Sequence, residues 1–274
     1  MGRSPAFGAV KMMDMNPMRA VYNLAKTSPS LMRIGRVITG RYVHSSEPFV
    51  AATRQKHGLE IGGPSAAFAD AGFLPIYRYA GSLDNTVYSA STPFSNDPRG
   101  NDFQFHPRKA AGKNLILEAA ALTDIKDGSY DFVLSSHCLE HCANPIKALK
   151  EWQRVVRPGG AIIVILPHFR HTFDHRRPLT SLEHMLEDSR CEVSEDDKTH
   201  IEEMYSLHDF SRSPMEPEGL RSVLDDNVKN RCVHHHVFDE TNSRALLEAS
   251  GLRVSLVEFV RPFHIVSLCR VSKG

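Results

Sequence analysis

Apolar and polar positions alternate along the chain in a pattern that predicts strands and helices in turn from residue 58 onward. Short apolar segments predict strands at 58–61, 74–79, 115–117, 130–135, 161–166, 253–260 and 264–271. Segments of helical period predict helices at 66–71, 144–156, 181–186 and 240–250. Residues 85–112 are rich in Ser, Pro, Asn, Asp and Gly, which indicates a long loop.

This alternation predicts an α/β fold with a mostly parallel sheet covered by helices on both faces. The strand at 161–166 is apolar without interruption and should be buried on both sides. Only Arg261-Pro262-Phe263 separates the last two strands. Because so short a connection cannot make a parallel crossover, the last strand must be antiparallel.

The same pattern divides the chain into four regions. Residues 1–57 are basic and weakly periodic, and they predict an N-terminal helical extension. Residues 58–166 form a ligand-binding core, which residues 237–274 complete. Between them, residues 167–236 are polar, acidic and His-rich, so we expect an insertion that acts as a lid and binds an acceptor.

Composition narrows the class of protein. A net charge of +1 gives no field that would attract nucleic acid. The longest apolar run, 161–166, falls far short of the roughly 20 residues of a membrane span. The N-terminus lacks the apolar core of a signal peptide, so a cytoplasmic protein is expected. Five cysteines without a CxxC pair indicate reduced thiols, with zinc at Cys138 and Cys142 as the less favoured alternative.

The first candidate for chemistry is the turn Leu59-Glu60-Ile61-Gly62-Gly63-Pro64-Ser65 between a predicted strand and a predicted helix. Glycines there permit positive φ and a close approach of a ligand. The turn lacks the GxGxxG spacing, which makes a dinucleotide less favoured. Glu60 would face a cationic amino group of the ligand. Taken alone, the segment could equally be a tight turn.

Further groups follow the later strands in order. Asp84 could accept both ribose hydroxyls of an adenosine. Glu118 and Ala119 could flank an adenine. Residues 130–141 and the turn at 157–160 come next, although Asp131 could simply cap a strand and 157–160 could be only a turn. It is the succession of all five pieces that indicates a nucleoside-type cofactor.

In this order the pieces resemble class I S-adenosylmethionine-dependent methyltransferases over residues 58–166 and 237–272. The motifs EIGGPS (60–65), TFDHRRP (172–178) and HHHVF (234–238) are similar to a bacterial subgroup often found with glycosyltransferases in surface-glycan gene sets. The resemblance implies a Rossmann-like sheet, S-adenosylmethionine as cofactor and methyl transfer. It does not settle the acceptor.

The residues expected to bind the cofactor are Glu60, Gly62, Gly63, Pro64, Ser65, Asp84, Asn85, Glu118, Ala119, Ser135 and His137. A hydroxyl acceptor must lose a proton, and His is the usual base near neutral pH. His141 and His168 both follow strands at the edge where ligands bind in such folds, so they are the predicted bases. Alternatively, His141 caps the following helix or packs on its neighbours.

The insertion concentrates His and acidic residues, which allows a divalent metal that lowers the pKa of the acceptor hydroxyls. The candidate ligands are His171, Asp174, His175, His208 and His235. The competing interpretations are a hydrogen-bonded polar lid and a sugar subsite without metal. Arg176 and Arg177 could hold a phosphate or form surface ion pairs.

The sequence therefore predicts O-methylation of a sugar or glycan-related acceptor. The alternatives are another small polar acceptor, such as a carboxylate or amine, and a non-catalytic cofactor-binding partner that kept the fold. The predicted partner is a small molecule or glycan rather than nucleic acid, and a homodimer is possible. The missing GxGxxG motif and the antiparallel last strand disfavour a dinucleotide oxidoreductase.

Overall fold

The computed structural model describes residues 42–43, 45–89 and 102–272. Its strands are β1 His57–Ile61, β2 Ser82–Val87, β3 Asp102–Phe103, β4 Gly112–Ile116, β5 Tyr130–Ser136, β6 Val156–Pro167, β7 Arg253–Val260 and β8 His264–Arg270. Its helices are α1 Ser46–Thr53, α2 Pro145–Val155, α3 Leu182–Arg190, α4 Ile201–Leu207, α5 Pro217–Asp225, α6 Asn227–Asn230 and α7 Glu240–Ala249. Short 3₁₀ turns occupy Leu139–His141, Phe169–His171 and Phe210–Arg212.

All eight strands belong to one sheet, in the order β3-β4-β2-β1-β5-β6-β8-β7. The five strands β4, β2, β1, β5 and β6 are mutually parallel. Strand β8 runs antiparallel to both β6 and β7, which confirms the predicted antiparallel ending. The short edge strand β3, antiparallel to β4, lies in the region predicted as a loop.

Local sequence signals explain where the best-predicted helices begin and end. The Asn144 side chain caps α2 by accepting from Lys147 N at 2.9 Å, and Pro145 fits the first turn because it needs no donor there. Helix α7 begins with a reciprocal capping box between Asp239 and Asn242. It is followed by Gly251 at φ +96°.

Two predicted elements are wrong. Residues 66–71 form turns rather than a helix, and residues 74–79 form turns rather than a strand. Backbone hydrogen bonds such as Leu74 N to Ala67 O (3.1 Å) fold this segment back on itself. Its apolar side chains are buried all the same, which is why the apolar pattern suggested regular elements there. The second strand of the sheet is instead Ser82–Val87.

The sheet is covered on both faces. One apolar cluster includes Leu149 and Trp152 of α2, and the other includes Phe49 of α1 and Phe68. The insertion has a smaller core of its own around Leu220 and Leu224. Of the N-terminal extension, residues 1–41 lie outside the described part of the chain, as do residues 90–101 of the predicted loop. Among the described helices, none is long and apolar enough to cross a membrane.

Candidate active site

The glycine turn lies at the carboxyl end of β1 and needs each glycine for a different reason. Gly62 has φ +78°, a conformation that side chains other than glycine rarely adopt, and its N–H donates to Thr86 O at 2.8 Å. At Gly63, a Cβ would lie 2.3 Å from Glu60 Cδ. The turn therefore presents bare backbone at the edge of the sheet, with Gly62 exposed.

The Glu60 carboxylate is buried and engaged by the turn itself. Ser65 N donates to Oε1 at 3.0 Å, and the Tyr77 hydroxyl donates to Oε2 at 2.7 Å. The Asn85 amide accepts from Gly63 N (2.8 Å) and donates to Gly63 O (3.2 Å). Glu60 and Asn85 thus hold the backbone of the turn in place. Sequence reasoning missed Tyr77, because the segment that carries it was predicted to be a strand.

The structure does not support the predicted ribose contact of Asp84. This residue is the third of β2 and pairs with Leu59, so it lies well before the carboxyl end of its strand. Its carboxylate accepts from Lys113 N at 2.8 Å and from the Tyr130 hydroxyl at 3.0 Å. Tyr130 is the first residue of β5, which places the Asp84 carboxylate toward the opposite edge of the sheet from the glycine turn.

The region predicted to flank adenine is partly occupied by the insertion. Arg231 donates to Glu118 Oε1 at 2.5 Å and to Glu195 O at 3.2 Å. Its guanidinium also lies 5.7 Å from the centre of the Tyr88 ring, just beyond β2. Ala119 O accepts from Trp152 Nε1 at 2.9 Å, which fixes that stretch of backbone. The insertion therefore reaches the carboxyl ends of β2 and β4.

The end of β5 brings further predicted residues to the same edge. Ser135 pairs with Ile61, the last residue of β1, and its hydroxyl is buried without a hydrogen-bond partner among the described residues. His137 has φ +52° and donates its backbone N–H to Ile165 O at 2.9 Å. Its ring Nε2 lies 2.9 Å from His264 Nδ1. A Cβ at Gly62 would lie 3.6 Å from the Cβ of Cys138, so the two strand ends are adjacent.

Glu140 is a buried carboxylate that the sequence analysis did not single out. It is 1% exposed, and neither of its side-chain oxygens has a hydrogen-bond partner within the described part of the chain. Oε1 lies 3.4 Å from His137 Nδ1 and 4.0 Å from His141 Nε2. Burial raises the pKa of Glu140, but the neighbouring histidines outweigh this effect and hold it below its ordinary value. The group is therefore a carboxylate that faces imidazoles.

His141 is held in one tautomer. Its Nδ1 lies 3.1 Å from Val233 O, and a carbonyl can only accept, so Nδ1 carries the proton. This assignment makes Nε2, on the side of Glu140, the basic nitrogen. Burial lowers the pKa of His141 to about 4, so its ring is neutral at pH 7.

Both ring nitrogens of His168, the other predicted base, have partners within the protein. Its Nδ1 accepts from Arg170 N at 3.3 Å, so Nε2 carries the proton and donates to Glu240 Oε2 at 3.0 Å. Its ring contacts His171 and Phe259. These contacts connect the end of β6 with α7, and they make His141 the stronger candidate for the base.

The five predicted metal ligands have separate surroundings. His171 stacks on Phe259, and His208 stacks on Phe173. The remaining three pair with different partners, namely Asp174 with His234 (2.6 Å), His175 with Asp209 (2.8 Å) and His235 with Asp197 (3.6 Å). They do not form one ligand set. Within the described residues, the groups whose donor atoms converge within 4.8 Å are Glu140–His141–His234 and His184–Asp188–His236.

The predicted phosphate-binding arginines lie among carboxylates. Arg177 is buried and donates to Asp174 Oδ1 at 3.1 Å and to Glu203 Oε1 at 2.7 Å. Arg176, half exposed, lies 3.6 Å from Asp209 Oδ1. Both arginines face carboxylates, but only Arg176 lies at the surface as the ion-pair alternative predicted, because Arg177 is buried.

Comparison with known proteins fits this geometry. Residues 95–164 match a family model described as a methyltransferase domain. A curated relative, the ubiquinone/menaquinone biosynthesis C-methyltransferase of Bdellovibrio bacteriovorus, is 37% identical over 59 residues, which are 21% of this chain and 25% of the relative. The chain thus spans about a quarter of the length of that relative.

Solved structures with a similar course of the chain include a SAM-dependent methyltransferase from Aquifex aeolicus, at 12% identity and a TM-score of 0.43, over 89% of this chain and 98% of that one. Another is the 1,6-didemethyltoxoflavin-N1-methyltransferase of Burkholderia thailandensis, with bound S-adenosylhomocysteine, at 13% identity and a TM-score of 0.45, over 96% and 93% of the two chains. The chain thus combines a match to a methyltransferase domain model over residues 95–164 with a mostly parallel α/β sheet that ends in antiparallel strands.

Proposed function

We propose that the protein transfers a methyl group from S-adenosylmethionine to a hydroxyl of a sugar or glycan-related acceptor. The observation that carries the proposal is the adjacency of the glycine turn and the Glu140–His141 pair at the carboxyl ends of β1 and β5. Ligands bind at this edge in open α/β sheets. A cofactor cradle and a neutral imidazole are therefore next to each other.

The residues that fit the cofactor are those with open backbone or unused polar groups at this edge. Gly62 is exposed with a positive φ and allows close approach, and the buried Ser135 hydroxyl has no partner among the described residues. When bound, S-adenosylmethionine supplies an electrophilic methyl group on a sulfonium. The chain's own contribution is alignment of the acceptor and exclusion of water, because transfer is an in-line displacement.

His141 Nε2 is placed to receive the proton of the acceptor hydroxyl. As the new C–O bond forms, the acceptor oxygen becomes positively charged and its proton becomes strongly acidic. A base of low pKa therefore suffices, provided that it is neutral and close. The Glu140 carboxylate, 4.0 Å away, would stabilise the imidazolium that results.

The character of the insertion supports a hydroxylated acceptor. His208 is buried, and neither of its ring nitrogens has a hydrogen-bond partner in the described part of the chain. It stacks on Phe173, and its ring centre is 4.6 Å from that of Phe210. The insertion thus brings aromatic rings and polar side chains together, and a sugar has both apolar ring faces and hydroxyls to match them.

The test separates the cofactor from the acceptor. Calorimetry with S-adenosylhomocysteine measures cofactor binding, and mass spectrometry after incubation with S-adenosylmethionine and a panel of nucleotide sugars and oligosaccharides detects a gain of one methyl group. We expect binding, together with O-methylation that is lost in His141→Gln. Failure to bind the cofactor would overturn the whole proposal. Binding of the cofactor without methylation of any sugar in the panel would overturn only the acceptor.

A further inference from the structure

A second group of metal-type side chains lies within the insertion, outside the group around Glu140. His184 and Asp188 are one turn apart on α3, His200 precedes α4, and His236 follows α6. The Asp188 Oδ2 atom lies 2.9 Å from His236 Nε2 and 3.6 Å from His184 Nε2. His184 Nε2 in turn lies 3.0 Å from His200 Nε2.

These separations are those of ligands around a single ion. Donor atoms about 2.0–2.1 Å from a tetrahedral zinc ion are roughly 3.3–3.5 Å from one another. The two separations to Asp188 Oδ2, 2.9 and 3.6 Å, lie on either side of that range. The donor atoms of His184, Asp188 and His236 all fall within 4.8 Å of each other.

Ordinary hydrogen bonding leaves this group incompletely satisfied. His236 is 1% exposed, and its Nδ1 has no hydrogen-bond partner within the described residues. His184 and His236 both face the Asp188 carboxylate, so one anion must pair with two imidazoles. The His184 and His200 nitrogens face each other, a contact in which at least one must offer a lone pair. A cation between His184, Asp188 and His236 would accept a lone pair from each of them.

We propose that this group, which we call the insertion centre, binds a zinc-type divalent ion through His184 Nε2, Asp188 Oδ2 and His236 Nε2, with His200 Nε2 next to His184. Imidazole and carboxylate donors suit zinc. The ion would hold these side chains of the insertion together. This inference is independent of the methyl transfer proposed above.

The insertion centre would connect two parts of the insertion that are far apart in sequence. Helix α3 contributes His184 and Asp188, and the segment after α6 contributes His236. The last segment also carries His234 and donates His235 N to Glu140 O at 2.9 Å. The ion therefore positions the backbone that borders the Glu140–His141 pair.

The experiment measures metal content directly. The full chain, purified without chelators, is analysed by elemental mass spectrometry before and after EDTA treatment and after addition of zinc chloride. We expect one zinc per chain, a lower melting temperature after EDTA, and recovery on addition of zinc. Replacement of zinc by cobalt should produce the intense visible absorption of a tetrahedral site.

Variants locate the ion. Asp188→Asn and His184→Gln should each weaken zinc binding by about tenfold or more. His175→Gln, which changes an insertion histidine paired with Asp209, should retain zinc, and so should Glu140→Gln. No zinc in the full chain even after addition would overturn the proposal. So would loss of zinc in Glu140→Gln with retention in Asp188→Asn, which would assign the ion to Glu140–His141–His234. The EDTA comparison on the unaltered chain decides the matter even if a variant fails to fold.

Discussion

The carboxyl group of Glu60 shows how one buried acidic side chain can hold the backbone of a turn in place. Its oxygens accept from Ser65 N and from the Tyr77 hydroxyl, and its side chain occupies the space that any Cβ at position 63 would need. The geometry of the turn and the identity of residue 63 are therefore coupled.

Gly63→Ala tests this coupling. Because the added methyl would overlap Glu60, we expect destabilisation of about 1–3 kcal/mol and weaker binding of S-adenosylhomocysteine. Denaturant unfolding and calorimetry measure the two effects. Gly219→Ala is the matched control, since no atom lies within 4 Å of its Cβ position and α5 should gain about 1 kcal/mol from the substitution. Equal stability and equal S-adenosylhomocysteine affinity in the two variants would contradict the coupling between Glu60 and residue 63.

The low pKa of His141 predicts the pH dependence of transfer. A base must be neutral to accept a proton, and the pKa of about 4 keeps His141 neutral through the physiological range. The transfer rate should therefore be level from neutral pH downward and fall only as the pH drops through about 4. His141→Gln should slow transfer by about a hundredfold or more and leave cofactor affinity unchanged. A rate that falls near pH 6.5 would point to an ordinary histidine instead.

At the scale of elements, the N-terminus of α7 illustrates a stabilising contribution that can be read from sequence. The Asp239 carboxylate accepts from Thr241 N at 2.8 Å and Asn242 N at 2.9 Å. Asp239→Ala should lower the free energy of unfolding by about 1 kcal/mol. Thr241→Ala, an exposed change in the same turn, should have almost no effect in the same urea titration. A neutral Asp239→Ala would show that the cap contributes nothing.

Sequence patterns predict most of the sheet because parallel core strands require unbroken apolar runs, as in Ala161–Leu166. They predict the starts of α2 and α7 because a capping side chain bonds to backbone groups only a few residues away. They fail at residues 66–79, where burial of Phe68 and Leu74 is achieved by turns. The roles of Glu60 and Asp84 also depend on which side chains arrive from distant strands, such as Tyr130 46 residues beyond Asp84. No local pattern contains that information.

The same limit applies to the metal candidates. His171 and His175 attract attention because they lie close together in sequence, yet His171 stacks on Phe259 and His175 pairs with Asp209. His184, Asp188 and His236 converge across a span of more than fifty residues. Only the i, i+4 spacing of His184 and Asp188 on one helix face was available as a signal.

At the scale of the whole molecule, Asp174 joins parts of the insertion that are far apart in sequence. Its carboxylate accepts from Arg177 Nη1 at 3.1 Å and lies 2.6 Å from His234 Nδ1. Burial raises its pKa, but His234 and Arg177 outweigh this effect and lower the pKa to about 2. The ionised form is therefore more stable in the folded chain than in the unfolded one.

Because the pKa is depressed, the resulting stability is present above about pH 4 and is lost as the pH falls through about 2. The unaltered protein should lose about 2 kcal/mol from this group over that window. Asp174→Asn should be less stable at neutral pH and should lack this part of the acid dependence. Urea titrations at several pH values measure how the free energy of unfolding of each protein depends on pH. Parallel dependences of stability on pH for the two proteins would contradict the role given to Asp174.

The predicted homodimer and the predicted cytoplasmic location stay predictions.

Trp152 is the only tryptophan of the chain, and it is fully buried with its indole N–H on the Ala119 carbonyl. Excitation that is selective for tryptophan therefore reports on one position, which is hydrogen-bonded to the backbone stretch predicted to flank adenine. Its emission should be blue-shifted in the folded chain and should report occupancy of the adenine end without any label. Titration with the cofactor, followed by tryptophan emission, would measure binding through this one side chain. The Trp152→Phe variant should lose the signal.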